Sequence, residues 1–146
     1  MPLYTVTRTA TALVPGNDFC TIIASATKPL RIYMADVKGM GNSSAANEVA
    51  LMRSTSGTTP GGAITPVKVN PSSGAASFTV STTWSVQPTP GDVLWRFGPN
   101  ANGGIDKFVA LPGAEFPVPV GQQISVRPVS GTSSTVLNML IEEIDG

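Results

Sequence analysis

Proline and glycine recur through this chain at intervals of roughly eight to fifteen residues, and that punctuation most limits what it can fold into. A helix interior tolerates neither well: proline lacks the N–H and clashes with the preceding turn, and glycine costs backbone entropy. No window holds an apolar stripe at helical spacing for three turns. The best helical candidate, SSAANEVALM from Ser43 to Met52, opens on capping-type serines. It is short, and EVALMRS reads equally well as a strand.

Strand signals recur instead. They cover Phe19–Ala26, Leu30–Lys38, Glu48–Ser54, Ala75–Ser81, Val93–Phe97, Lys107–Leu111, Glu115–Val118, Gln122–Val129 and Val136–Ile144. In QQISVRPVS, Ile124, Val126 and Pro128 point one way while Gln123, Ser125 and Arg127 point the other. The N-terminal run alternates too, with Thr5, Thr7, Thr9 and Thr11 opposite Tyr4, Val6 and Arg8. The expected fold is all-β: one single-domain antiparallel β-sandwich, jelly-roll-like, of eight or nine strands. Residues 1–18 form an extended arm or edge strand, and residues 19–146 the sandwich. Two long connections, Thr55–Gly74 and Thr82–Asp92, are the expected contact-making loops.

Chemistry is restricted by what the chain lacks. It has no histidine, which removes the Ser-His-Asp and Cys-His arrangements and the imidazole ligands of most catalytic metals. Its one cysteine, Cys20, lies in the apolar run FCTIIASA and reads as a buried, inert thiol. Carboxylates remain. Glu142 and Glu143 are adjacent and must face opposite sides of a strand, so they cannot form a glycosidase pair. Asp92 and Asp106 flank one strand and its following loop, and read as turn caps rather than as catalytic groups or calcium ligands. No enzyme activity, metal or cofactor is expected.

The stretch FGPNANGGIDKF carries two glycines at P-loop spacing, Gly98 and Gly103. A P-loop needs Lys and then Ser or Thr after the second glycine, with a helix starting there. Here Gly104 and Ile105 follow, and Pro99 removes an amide. The segment reads as a hairpin loop.

Net charge is zero, and the nine basic residues are scattered singly, so nucleic acid is an unpromising partner. No stretch approaches the roughly 18 apolar residues of a membrane span. The N-terminus lacks the basic start and apolar run of a signal peptide. A soluble protein made in the cytoplasm is expected. Only 12% of residues are charged, against thirty serines and threonines, so hydroxyls and turns dominate the surface. Turn-rich β-proteins look like this, and so do proteins largely covered by neighbours.

Among the aromatics, Trp95 and Phe97 share a strand face and are expected in the core. Trp84 opens a proline-rich loop, TTWSVQPTP, where it serves either as an exposed anchor for a partner or sugar ring or as a lid over the sandwich end. Tyr4 and Arg8 on the arm, Pro60 and Ile64 in the first long loop, and Trp84 and Pro88 in the second are the candidate partner-binding residues.

The segment RIYMADVKGMGNSSAANEVALMRSTSGTTPGGAITPVKVNPSSGAASFTVSTTWSVQPTP, followed by LWRFGPNANGG, resembles small proteins of tailed bacteriophages and prophages. The matching order is an L-R-I-Y strand, an SSAAN turn, a strand ending in R-S-T, a TTPGGAITP loop and an NPSSGAAS turn. The likeness spans Leu30 to Val129 and leaves Pro2–Val14 outside it. It implies a virion component of jelly-roll or related sandwich fold, most like the capsid decoration (cement) proteins. These are commonly homotrimers on the outer capsid surface that clamp neighbouring major capsid protein subunits, and no catalytic residues come with them. The competing reading is a tail-fibre tip or lectin, with Trp84 and the Thr55–Gly74 loop forming a glycan-binding face.

Overall fold

The computed structural model describes residues 1–42 and 44–145, which form twelve strands and contain no helix. They are β1 (Leu3–Ala12), β2 (Cys20–Ile23), β3 (Leu30–Met40), β4 (Glu48–Thr55), β5 (Thr58–Ala63) and β6 (Val67–Lys68), then β7 (Thr79–Val86), β8 (Thr89–Phe97), β9 (Asn102–Val109), β10 (Phe116–Val118), β11 (Gln123–Ser130) and β12 (Ser134–Glu143). Two antiparallel sheets result. The first runs β10-β3-β12-β1-β6, with β9 also on β3, and the second runs β5-β7-β2-β11-β4-β8. One core of Val6, Ile32, Leu137 and Ile141 from the first sheet and Ile22, Leu51, Ile124 and Val126 from the second lies between them.

β12 shows why these residues form a sandwich. Leu137, Met139 and Ile141 point inward, and the intervening Asn138 and Leu140 point out. β1 lies along β12 from Leu3 to Ala12, with β6 on its other side only at Tyr4 and Thr5. The helical candidate is not formed: Glu48–Met52 belongs to β4, while Ser43 lies outside the described residues.

The strand count exceeds the eight or nine expected because the N-terminal segment forms β1 and the Thr55–Gly74 loop contains β5 and β6, while the Thr82–Asp92 loop lengthens β7 and β8. β5 (TTPGGA) has no alternation and almost no buried side chain, so its sequence carries no strand signal. It is held by pairing with β7 alone. The Thr82–Asp92 segment is the end of β7 and the start of β8, joined by Gln87 and Pro88. Thr55 pairs with Thr89, and three residues further along each strand Thr58 pairs with Val86. β4–β5 and β7–β8 are thus one long antiparallel ribbon. One end lies on β11 and the other on β2, so the ribbon bends across the outer face of that strand pair.

Two further expectations are corrected. GPNANGG is no hairpin loop, because β8 pairs with β4 and β9 with β3, and the turn crosses between sheets. Phe97 is in the core at 1% exposure, but Trp95 is 42% exposed. β8 is an edge strand with two register shifts, so Trp95 overhangs the open flank, where it meets Phe108, itself stacked on Phe116.

Cys20 is wholly buried, and burial pushes its thiol from the ordinary 9.0 up to about 12. Above pH 9 the unfolded chain releases this proton and the folded chain keeps it. Folding stability therefore falls between pH 9 and 12, with a slope approaching 1.4 kcal/mol per pH unit for this group. Urea titrations at pH 8 and pH 10.5 should show this loss in the native protein and a smaller loss in Cys20→Ala. Equal losses would place the alkaline sensitivity elsewhere.

Candidate functional site

The bend of the ribbon gathers most of the residues that the sequence marks for contact. Pro60, Ile64 and Trp84 line one open groove of about 750 Å³, together with Ile23, Phe78 and Val80. Arg8 and Trp84 line a smaller neighbouring cleft with Thr11, Asn17 and Gln87. Trp84 stands between the two. Tyr4 does not join them: it is 1% exposed, edge-on to Phe78 in the core, and donates its hydroxyl proton to the Gly74 carbonyl. Pro88 is buried as well.

Trp84 is in a strand rather than a loop, paired with Pro60 and half-buried. Its indole N–H donates to Thr21 Oγ1 at 2.9 Å. A Cβ on Gly57 would fall 2.7 Å from the ring, so that glycine lies against the indole face. Neither the indole N–H nor that face is open to a ligand. The residue closes the ribbon onto the sheet. Arg8 has a similar part at the flank, where its guanidinium covers the Phe19 ring at 4.5 Å and donates to the Phe19 carbonyl. Burial lowers its pKa from the ordinary arginine value.

Beneath the bend lies a polar cluster that sequence reasoning missed. The Asp18 side chain is 0% exposed and accepts from the Thr21 and Ser125 hydroxyls. It also pairs with Arg127 Nε at 2.7 Å, whose side chain is 9% exposed. Ser54 Oγ lies 2.6 Å from Ser125 Oγ and accepts from Gln123 Nε2. The ribbon is tied to this bed twice more. The Asp18 amide donates to Gln87 Oε1 at 2.8 Å, and Arg127 donates to the Pro88 carbonyl at 2.6 Å. Alternation along β11 places Ser125 and Arg127 opposite Ile124 and Val126 as read from sequence, yet both are buried because the ribbon covers that face.

Three further carboxylates have structural partners, whereas Asp92, read from sequence as a turn cap, lies exposed within β8 and caps no turn. Glu143 is buried and accepts from the Ser77 and Phe78 amides, while Glu142 on the opposite face accepts from Tyr33 and lies 3.7 Å from Arg31. That hydrogen bond to Glu142 raises the Tyr33 pKa. Asp106 accepts from the Gly98 amide at 2.8 Å and caps the turn between the sheets. Among the described residues no group of three or more acidic or thiol side chains could hold a metal ion. Asn47 is buried against Gly131 with no hydrogen-bond partner for its side-chain amide among the described residues.

Comparisons with protein-family models, with curated proteins and with solved structures give no match for this chain.

The Gly57–Trp84 contact gives a direct check. Gly57→Ala should displace the indole and cost about 1–3 kcal/mol in urea denaturation. Gly74→Ala, where an added Cβ meets nothing within 4 Å, should leave stability nearly unchanged.

Proposed function

We propose that this chain is a structural protein of a bacteriophage particle, one that decorates the capsid and stabilises it by binding major capsid protein subunits. The observation that carries this reading is how the chain uses its polar groups. Asp18, Arg127, Glu143, Glu142 and Asp106 all hold strands and turns together. Beside scattered single charges such as Lys68, Asp92, Arg96 and Lys107, the exposed surface carries hydroxyls and single large apolar groups, among them Ile105 and Val109 on β9, Leu111 just beyond it, Val67 on β6 and Trp95. That is a surface suited to contact with other protein. The sequence resemblance between Leu30 and Val129 supplies the class of particle.

In this reading the protein performs no reaction and works as a homotrimer on the outer surface of the head. Many copies at symmetric positions turn modest affinity per contact into tight overall attachment. A heterologous threefold interface needs two different patches on each subunit. The first sheet offers apolar side chains at both margins, Ile105 and Val109 on β9 and Val67 on β6. A glycan-binding reading would use Trp84 as a stacking platform, and there the N–H is taken by Thr21 and one part of the ring by Gly57.

Quantitative mass spectrometry of purified particles tests the proposal. Hundreds of copies in a simple ratio to the major capsid protein are expected, with three chains per unit by native mass spectrometry. A handful of copies, or none, would overturn the decoration reading.

A further inference from the structure

The bend of the ribbon holds strained backbone. Ser56, Thr59 and Thr83 have φ of 31°, 48° and 57°, the left-handed region that residues with a Cβ avoid and that β-branched threonine avoids most. These are the only non-glycine residues with positive φ among those described, and all three fall within Ser56–Ala63 and its partner segment Thr82–Val86. The two strands of the bend also approach so closely that only glycine fits at two positions. A Cβ on Gly61 would fall 2.9 Å from the Thr83 carbonyl oxygen, and one on Gly57 would strike Trp84. Such conformations persist only where surrounding contacts enforce them.

The enforcing contacts are few and can be named. β5 pairs with β7 alone, and β7 leaves β2 after Ser81, so the bend touches the sheet through side chains. Three ties hold it: Trp84 to Thr21, Gln87 to the Asp18 amide, and the Pro88 carbonyl to Arg127. The bed it rests on is polar and bonded within itself, through Asp18 with Arg127, Thr21 and Ser125. Lifting the bend therefore breaks three hydrogen bonds that water can replace, undocks one indole and frees three strained residues. The core strands β4, β2 and β11 keep their ladders throughout.

We infer that the Ser56–Ala63 and Thr82–Thr89 bend is a spring-loaded strap, a two-state element that opens locally from the β2–β11 face while the sandwich stays folded. Strain favours the open state, and the Trp84 clasp favours the closed one. Opening exposes the Asp18–Arg127 bed and joins the two grooves on either side of Trp84. This inference is independent of what the protein attaches to.

Hydrogen exchange by mass spectrometry on the full chain tests it. Amides of the strap should exchange together, at least about tenfold faster than those of β4 and β11. Trp84→Phe, which removes the indole N–H, should speed exchange in the strap alone. Asparagine tolerates positive φ, so Thr83→Asn and separately Thr59→Asn should slow strap exchange about five- to tenfold. Strap amides that exchange only with global unfolding would overturn the two-state element. Local exchange unchanged in both asparagine variants would overturn strain as its cause.

Discussion

A carboxylate with no exposure to solvent sits at the centre of this molecule's outer layer, and the path of one long ribbon depends on it. Asp18 is ion-paired to Arg127, bonded to two hydroxyls, and placed where the chain enters β2. Removing two charges from water is costly, and mutual attraction repays it only when hydrogen bonds fill the remaining positions. Here they do. Arg127 spends a further donor on the Pro88 carbonyl, at the crossing between β7 and β8. An apolar bed would let the ribbon slide or reseat, whereas directional bonds to Gln87 and Pro88 fix where it crosses.

The two sheets consequently present unlike outer faces. On the second, the ribbon covers Thr21, Ser125 and Arg127, which are buried on a side that would otherwise face water. On the first, no strand among the described residues lies over the face. Thr7, Asn138 and Asp36 form a hydrogen-bonded row across it, and Lys107 is opposite Asp36 on the next strand. With Asp36 bonded to Asn138 and Arg31 close to Glu142, that face and its apolar margins can meet another protein surface with few charges left unpartnered. The proposed attachment to a capsid and the proposed strap thus use different sides of the molecule.

Much of the architecture was legible in the sequence because alternation and turn residues report directly on strands. β3, β4, β11 and β12 lie within a few residues of where their patterns place them. What was illegible has physical causes. TTPGGA is a strand only by backbone pairing, and such pairing leaves no mark on side-chain pattern. Trp84 looked like a loop residue because proline and threonine surround it, but its register partner is Pro60, and nothing local reveals that pairing. Trp95 obeys its alternation and still reaches solvent, since alternation gives the face of a strand and not its distance from the sheet edge. Asp18 stood in VPGNDFC with no sign that Arg127, more than a hundred residues away, would be its partner. Of the six candidate contact residues, Pro60, Ile64 and Trp84 share one groove and Arg8 adjoins Trp84, while Tyr4 and Pro88 are interior.

A double-mutant cycle on the buried pair tests the central claim most directly. Asp18→Ala and Arg127→Met would each be measured by urea denaturation, alone and together. Each single change strands a buried charge and should cost about 3–5 kcal/mol. The double variant should cost well under the sum, giving a coupling energy of about 2 kcal/mol or more. Additive costs, or singles within about 0.5 kcal/mol of the native protein, would contradict an ion pair that fixes the ribbon's path.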